Sequence, residues 1–548
     1  MKNLLKLFIV LLIAVGYTGC TEEFDDINTN PKALTLDKLN QSTFGFVFRK
    51  AIISPEYCGS STGTNGMQLI QSLHFDVYSN YWATTTPNFL SDRNVMVGSW
   101  QNGMFNSFYA SEAPQIKYIE DFAREKDLKP ELAVSKIWKV YIFLRYTDLL
   151  GPIVYSQYGN MQKAVPYDKQ SDIYKNFFLE LDSAITILKA NAGGTSATIS
   201  SYDPIYAGNL DRWQKMGSSL RLRLGMRIRY ADAALAKTQC EKAVTEGVLT
   251  SNADNGWLKT STTFPNPYNT ISSWGEYRMS ADMESICKGY GDPRITARFS
   301  PAKTPDNTDD PAGLEFPYEG LRNGQSKNDR TAVDYNSLCS DHQPAYLKVG
   351  DKGPNWHVMR APESYFLRAE GAIMGWAMGG TAQALYEEGI LLSLAENGFA
   401  DDENLFGETY TTSTRTPASA GVDGNTVFPG DPQAPVNTCP VAWRTAGTPE
   451  QQLEQIITQK WLALFPDSEE AYAERRRTGY PILYPRLESE NPDVPREKIP
   501  YRALYWSTEY TSSAAEVAKA ITLLNAESSA ANGDKASTKL WWDKKPGI

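Results

Sequence analysis

Residues 363–398 read ESYFLRAEGAIMGWAMGGTAQALYEEGILLSLAENG. Apolar residues recur three and four positions apart over 363–378, which is the spacing of one face of a helix. Gly379, Gly380 and Thr381 then indicate a turn, and the helical spacing resumes over 382–397. A helix, a turn and a second helix within 36 residues come close to the tetratricopeptide unit of ~34 residues. The sequence therefore predicts a fold that is built from helix pairs.

The helical period continues on both sides of this pair. It predicts helices over 39–51, 69–83, 101–124 with a break at Pro114, 131–150, 171–190, 203–230 and 451–465. Two stretches, at about 250–350 and 400–448, have no sustained period and are rich in Asn, Pro, Gly and Thr. Loops of this length are usually either functional or disordered, and the many aromatic residues of the first stretch argue against disorder. We therefore expect a mainly α-helical protein with two long loop excursions.

Four arginines crowd the helix that is predicted over 203–230. They are Arg221, Arg223, Arg227 and Arg229. Guanidinium groups this close together can clamp an anionic ligand, or they can pair with acidic residues of neighbouring helices. The second arrangement is the commoner one, and the sequence leaves both open.

The N-terminus has the features of an export signal. Lys2 and Lys6 accompany an apolar run over 4–16, which is too short for a membrane span of roughly 20 residues and is typical of a secretory signal peptide. Thr18 and Gly19 precede Cys20, and this order resembles the lipobox of bacterial lipoproteins, in which the cysteine is lipidated. We predict a signal peptide over 1–19, lipidation of Cys20, a tether over 20–36 and a single domain over 37–548.

Acidic residues follow Cys20 directly. Residues 21–26, TEEFDD, carry four carboxylates and resemble the surface-export signal of Bacteroidetes lipoproteins, although a solvated acidic linker has the same composition. Removal of 1–19 changes the formal net charge from −10 to −12. This charge argues against nucleic acid as a partner, because phosphates need clustered Lys and Arg, and against adhesion to anionic lipid by charge alone.

Short motifs along the chain follow the order found in one known family. They are Asn28-Thr29-Asn30-Pro31, Tyr146-Thr147-Asp148 before Gly151-Pro152, Tyr202-Asp203 through Trp213 to Leu220-Arg221-Leu222-Arg223, Gly291-Asp292-Pro293-Arg294, Leu367-Arg368-Ala369-Glu370, Gln459-Lys460-Trp461, Arg476-Arg477-Thr478-Gly479-Tyr480-Pro481 and Trp541-Trp542-Asp543. No motif is specific by itself. As an ordered set that covers nearly the whole mature chain, they resemble the SusD/RagB family of surface lipoproteins, in particular its second SusD-like subgroup.

The resemblance implies a SusD-like fold, in which four tetratricopeptide-like helix pairs form a scaffold and long loops build the ligand face. It also implies a location, the extracellular face of the outer membrane, where lipid on Cys20 anchors the protein. The implied partner is a SusC-like TonB-dependent transporter, on which proteins of this family sit as a lid. The implied function is the capture of glycans for import through that transporter, with no cofactor and no catalysis.

Seven residues near or within the loops are our candidates for ligand contact. Aromatic faces stack on the apolar side of sugar rings and polar side chains bond to hydroxyl groups, so a glycan site needs both kinds of residue. The candidates are Trp82, Trp100, Asn266, Tyr268, Asn269, Trp274 and Tyr277. Each aromatic residue could instead belong to the core, where large apolar side chains are usually found.

Other functions remain to be weighed against glycan capture. The same architecture could bind oligopeptides, since aromatic loops serve either ligand. A surface glycoside hydrolase would need two carboxylates across a cleft. The chain has 64 acidic residues, so the sequence leaves such a pair open. However, His74, His342 and His357 form no zinc-binding helical pair. Residues 59–63, GSSTG, match the nucleophile-elbow pattern but lack the preceding strand that this elbow requires.

The sequence leaves the metal content and the disulfide pairing of the protein open. Asp306, Asn307, Asp309 and Asp310 offer oxygen ligands for calcium, but their spacing matches no known loop motif, and a solvated acidic loop is the simpler interpretation. With Cys20 lipidated, five cysteines remain, which allows at most two disulfides. They are Cys58, Cys240, Cys287, Cys339 and Cys439, and we expect most of them to behave as small buried apolar residues.

Overall fold

The computed structural model describes residues 41–56, 66–160, 162, 164–304, 315–346, 350–420 and 434–548. Contacts separate two compact units, Met1–Phe44 and Gly45–Ile548. Of the first unit only 41–44 are described, and the features below belong to the second. Several predictions fall outside the described residues, namely the signal peptide, lipidation at Cys20, the tether, Cys58, the 59–63 motif and the calcium candidates Asp306, Asn307, Asp309 and Asp310.

Helices make up most of the regular structure. The longer ones are α1 (Gln41–Ile53), α2 (Gly98–Ser107), α3 (Ala113–Glu125), α4 (Lys129–Leu150), α5 (Gln170–Ala190), α6 (Leu210–Arg227), α7 (Ala233–Glu246), α8 (Ala281–Tyr290), α9 (Ala361–Ile373), α10 (Ala382–Glu396), α11 (Pro449–Leu464), α12 (Ser468–Thr478) and α13 (Ala514–Glu527). Shorter helices are Tyr268–Ile271, Arg294–Arg298, Lys327–Ala332, Tyr335–Leu338 and Ser507–Ser512. Within the described ranges, no helix has the length and apolar character needed to cross a membrane.

Consecutive long helices pack against each other in pairs. The pairs are α4 with α5, α6 with α7, α9 with α10, and α11 with α12, and α9 also contacts α11. This arrangement confirms the mainly α-helical fold of tetratricopeptide-like pairs. Helix α9 ends at Ile373 rather than at 378, because Gly375 adopts a φ of 74° that a helix cannot continue through. Helix α10 begins where predicted, and the side chain of Thr381 caps it by accepting from the amide of Ala384.

Three more helix ends are set by capping residues. Helix α11 has a reciprocal capping box between Thr448 and Gln451. The side chain of Asp467 accepts a hydrogen bond from the amide of Glu470 and caps α12, which ends at Gly479 with a φ of 78°. The rigid turn between α11 and α12 thus follows from local chemistry.

The helix predicted over 69–83 stops early. A π-helical segment spans Gln68–Asp76, and Asn80 then takes a φ of 56°, which ends the helical path. Trp82 and Ala83 lie instead in strand β1 (Trp82–Thr84). The break predicted at Pro114 is present as a second π-helical segment, Phe108–Glu112, before α3.

Four short strands form two antiparallel sheets. Strand β1 pairs with β3 (Tyr277–Met279), and β2 (Gly256–Leu258) pairs with β4 (Trp356–Met359). Each sheet joins segments that are far apart in sequence, so neither pairing could be read from local patterns. The stretch at about 250–350 also contains α8, which the sequence analysis did not identify.

The four arginines of the 203–230 segment pair with acidic residues, mostly of neighbouring helices, which was the commoner of the two arrangements that the sequence left open. Arg221 contacts Asp182 (2.5 Å), Arg223 contacts Glu363 (2.6 Å), Arg227 contacts Glu470 (2.5 Å) and Glu474 (2.9 Å), and Arg229 contacts Glu370 (2.5 Å). A buried charge is tolerated only when it is paired in this way, so these arginines link the helix pairs.

The described cysteines behave as apolar core residues. Cys240, Cys287, Cys339 and Cys439 are buried and form no disulfide with one another. Burial raises the pKa of each thiol above its ordinary value, which keeps the groups protonated and unreactive.

Candidate functional site

Three aromatic side chains, two near positions 90–100 and one from a distant part of the sequence, meet beside the β1–β3 sheet. The ring centroid of Phe89 lies 6.0 Å from that of Trp100 in an edge-to-face arrangement, and 6.0 Å from that of Tyr277 in a stacked one. We call Phe89, Trp100 and Tyr277 the aromatic cluster. Phe89 and Trp100 are only partly buried, so part of the aromatic surface stays open to a ligand.

The β1–β3 pairing positions Tyr277. Its Cα lies opposite that of Thr84, and the pairing continues as the amide of Thr85 donates to the carbonyl of Glu276 (2.9 Å). The hydroxyl of Thr85 also donates to the carbonyl of Gly275 (2.7 Å). These bonds fix the backbone on which Trp274, Glu276 and Tyr277 stand.

Phe89 stands on a loop that arginines hold in place. Arg330 donates to the carbonyls of Thr86 (3.2 Å) and Phe89 (3.4 Å), and it pairs with Asp92 at 2.5 Å. Arg330 is buried, so its bonds are shielded from water. The loop is therefore held firmly enough to present the Phe89 ring in one position.

Trp100 belongs to the first turn of α2. Its ring also packs edge to face with that of His74, with 6.2 Å between ring centroids. Burial lowers the pKa of His74 to about 4, so this imidazole is neutral at physiological pH. Trp100 thus contacts two other rings and remains partly exposed.

Polar groups lie on and beside the chain segment that carries Tyr277. The side chain of Gln68 donates to the carboxylate of Glu276 (2.7 Å), and burial raises the pKa of Glu276 above its ordinary value. The Tyr277 hydroxyl and the side-chain oxygen of Asn336 are buried and have no hydrogen-bond partner in the described parts of the chain. Aromatic faces with a carboxylate and amides beside them have the chemistry that a sugar requires.

Of the seven predicted contact residues, the structure brings Trp100 and Tyr277 together through Phe89. Trp274 ends the short turn Ser272–Trp274, three positions before Tyr277, and it is 41% exposed. It is the most exposed of the seven, and it stands on the same backbone segment as Tyr277. Trp100 and Trp274 form the accessible part of the predicted set, whereas Tyr277 is only 4% exposed and packs against Phe89.

Trp82 and Tyr268 lie in the interior. The ring of Trp82 stacks on His342, with 3.8 Å between centroids, and Trp82 is 1% exposed. The hydroxyl of Tyr268 donates to the carboxylate of Asp76 (2.9 Å), and its ring stacks on Trp356. Both residues therefore belong to the packed interior, and as ligand contacts they stay predictions.

Asn266 and Asn269 are buried and hold a neighbouring loop. The side chain of Asn266 donates to the carbonyl of Pro354 (3.1 Å), and that of Asn269 donates to the carbonyl of Asp351 (2.6 Å). Their amide groups are therefore engaged in fixing the 350–355 segment. As ligand contacts they also remain predictions.

Sequence reasoning missed Phe89, Gln68 and Glu276. Phe89 follows Thr84-Thr85-Thr86-Pro87, a turn signal that by itself says nothing about ligand binding. Gln68 and Glu276 lie 208 residues apart in sequence, and no local pattern predicts that they meet. In the described residues, no group of three or more His, Cys, Asp or Glu is placed to hold a metal ion.

Comparison with known proteins agrees with this architecture. The sequence model of the SusD-like family, described as SusD and RagB outer membrane lipoprotein, matches residues 26–543. No curated protein matches the sequence.

Solved structures of SusD homologues superpose on nearly the whole chain. A chitin-binding SusD homologue from Flavobacterium johnsoniae is 34% identical, with a TM-score of 0.79 over 91% of this chain and 98% of that one. A SusD homologue from Bacteroides thetaiotaomicron is 30% identical, with a TM-score of 0.79 over 92% and 100%. One from Bacteroides ovatus is also 30% identical, with a TM-score of 0.78 over 91% and 99%.

Proposed function

The chain belongs to the SusD-like family of outer membrane lipoproteins, and on that premise we propose that it captures glycans at the aromatic cluster for import. Proteins of this family bind nutrients at the outer membrane and are not enzymes as a family. The finer steps, namely glycan delivery and the identity of the partner, belong to the proposal.

The aromatic cluster is the observation that carries the proposal. Phe89 and Trp100 present partly exposed ring faces, and Trp274 adds a third ring that is 41% exposed. Each ring that stacks on a sugar contributes an apolar contact of modest strength, and several such contacts add up to useful affinity. Such a site holds its ligand reversibly, which is what a capture protein must do.

The polar groups beside the rings determine which face of a sugar can be bound. Glu276 accepts one hydrogen bond from Gln68 through a single oxygen, so its carboxylate retains capacity to accept a sugar hydroxyl. This carboxylate supplies a directional bond that the stacking contacts lack.

We take chitin oligosaccharides as the first ligand class to test. The relative from Flavobacterium johnsoniae, 34% identical to this chain, is described as chitin-binding. The acetamido group of each sugar unit offers a methyl group to an aromatic ring and an amide to a polar side chain. The proposed site offers partners for both, the rings of Phe89 and Trp100 for the methyl group and the side chains of Gln68 and Glu276 for the amide.

The anchoring and delivery steps complete the proposal. Lipid on Cys20, after removal of 1–19, would hold the protein at the extracellular face of the outer membrane. A SusC-like TonB-dependent transporter would take the ligand when the protein closes over it as a lid. The test is co-purification of the transporter with the intact lipoprotein, and a Cys20→Ala variant that stays unlipidated yet still reaches the cell surface would contradict the anchoring step.

Isothermal titration calorimetry with the N-acetylglucosamine hexamer tests ligand capture. We expect saturable binding that Trp100→Ala weakens about tenfold, whereas Phe46→Ala, which removes a 64% exposed aromatic residue of α1, leaves affinity unchanged. Binding of oligopeptides but of no glycan would instead support the peptide alternative. Shortening of the hexamer during incubation would indicate a hydrolase.

A further inference from the structure

A second concave site lies beside the β2–β4 sheet. It has a volume of about 260 Å³ and is lined by Trp257, Pro354, Asn355, His357, Glu396 and Asn397. We call it the Trp257 pocket. None of its lining residues belongs to the aromatic cluster, which lies beside the other sheet.

The sheet itself places the two rings of this pocket. Trp257 of β2 lies directly opposite His357 of β4, and the two rings meet edge to face with 4.5 Å between centroids. An irregularity in the pairing falls between Gly256 and Trp257. Bulges of this kind redirect a side chain away from regular alternation, and here the redirected side chain is that of Trp257.

The amides around these rings retain hydrogen-bonding capacity. The Nδ2 group of Asn397 donates to the carbonyl of Ser393 (2.8 Å), whereas its oxygen has no partner in the described chain. The oxygen of Asn355 accepts from the amide of Thr260 (3.2 Å), whereas its NH₂ group makes no bond to any described residue. The pocket therefore offers one acceptor and one donor for a ligand.

One further polar atom belongs to the His357 ring. The Nδ1 atom of His357 is buried and lacks a partner within the described ranges. Buried polar atoms are normally satisfied, so an atom of this kind at the wall of a cavity indicates a missing partner.

The pocket carries little net charge. Glu396 pairs with the guanidinium of Arg360, and its second oxygen accepts from the side chain of Asn255 (3.2 Å). Burial lowers the pKa of His357 well below its ordinary value, and the positive charges of Arg360 and Arg298 lower it further. His357 is therefore neutral at physiological pH. An uncharged ligand suits such a site better than an ion does.

We propose that the Trp257 pocket is a second saccharide subsite, which binds one pyranose ring against Trp257 and Pro354 independently of the aromatic cluster. The volume of about 260 Å³ is just below the ~300–1,000 Å³ of pockets for drug-sized ligands, which suits a single sugar unit. The amides of Asn355 and Asn397 bond to its hydroxyl groups. The choice of a saccharide as ligand rests on the proposed function, whereas the site itself is argued from its own residues.

The neighbouring loop keeps Pro354 in position. The backbone amide of Asn266 donates to the carbonyl of Lys352 (2.8 Å), and its side chain donates to the carbonyl of Pro354 (3.1 Å). Asn266 is buried, so these bonds hold the loop rigidly. A preformed wall lowers the entropic cost of binding a small ligand.

Fluorine NMR of 5-fluorotryptophan-labelled protein tests the proposal. The Trp257 resonance is assigned from a Trp257→Phe variant, and the probe is the tetramer of N-acetylglucosamine. The titration is repeated in a Trp100→Ala, Trp274→Ala double variant, which removes the two exposed tryptophans of the first proposed site. We expect the Trp257 resonance to shift saturably in both proteins. An Asn355→Ala, Asn397→Ala variant should raise the Kd that this shift reports at least tenfold.

The same titration distinguishes failure of the second subsite from failure of glycan capture at the aromatic cluster. If the Trp100 or Trp274 resonance shifts and that of Trp257 does not, the second subsite is overturned and glycan capture stands. A Trp257 shift that disappears in the double variant also overturns it, because the site would not be independent. If no tryptophan resonance responds to the tetramer, both proposals fail for this ligand.

Discussion

Gln68 donates a hydrogen bond of 2.7 Å to the carboxylate of Glu276 at the edge of the aromatic cluster. The first residue lies in the π-helical segment before β1, and the second lies directly before β3. The bond therefore joins the π-helical segment, whose His74 packs against Trp100, to the strand that carries Tyr277. It also orients the carboxylate, leaving its other oxygen available to a ligand.

We expect Glu276→Gln to weaken glycan binding about tenfold, because a sugar hydroxyl would lose a charged acceptor. Burial raises the pKa of Glu276, so in the unmodified protein affinity should also fall as the pH drops through that raised pKa and the carboxyl group takes up a proton. Calorimetric titrations with the N-acetylglucosamine hexamer across a pH series measure both effects. Equal pH profiles for the two proteins would remove Glu276 from the binding site.

Trp274→Ala should reduce glycan affinity about three- to tenfold while leaving the melting temperature nearly unchanged. The ring is 41% exposed, so its removal costs little core packing but deletes one stacking surface. Phe46→Ala is the matched control, since it removes an even more exposed aromatic ring. Unchanged affinity in the Trp274 variant would exclude this residue from the site.

Trp82→Ala should behave in the opposite way to Trp274→Ala. Trp82 is 1% exposed and stacks on His342, so we expect truncation to cost about 3–5 kcal/mol of unfolding free energy. Chemical denaturation measures this loss, and glycan affinity is measured on the fraction that remains folded. A variant that keeps its stability but loses binding would show that Trp82 contacts the ligand directly.

The helices of this fold were predictable because their signals are local. The capping box of Thr448 and Gln451 and the glycine at position 479 act within one turn, so their effect can be read from neighbouring residues. The candidate site was only partly predictable. Tyr277 reaches Phe89 because its strand pairs with that of Thr84, nearly two hundred residues earlier in the chain. Trp82 and Trp274 are both tryptophans near loops, yet Trp82 is buried and Trp274 is exposed, and no local pattern predicts that difference.

Asp76 supplies a test of the buried network beneath Tyr268. Its carboxylate accepts hydrogen bonds from Tyr268 (2.9 Å), from Ser468 (2.5 Å) and from Gln71 (3.2 Å). Burial nevertheless raises the pKa of Asp76 from 3.8 to about 7. The folded protein therefore binds this proton more tightly than the unfolded chain does.

Because the pKa of Asp76 is raised in the folded protein, its contribution to the unfolding free energy falls as the pH rises. The stabilisation by the bound proton is fully present below a pH of about 4, and it is lost as the pH rises through about 7. Asp76→Asn cannot titrate, so the difference in unfolding free energy between it and the unmodified protein should change between these two values by up to about 1.4 kcal/mol per pH unit. Urea denaturation across this range measures the difference. A difference that is constant with pH would mean that Asp76 keeps its ordinary pKa in the folded protein.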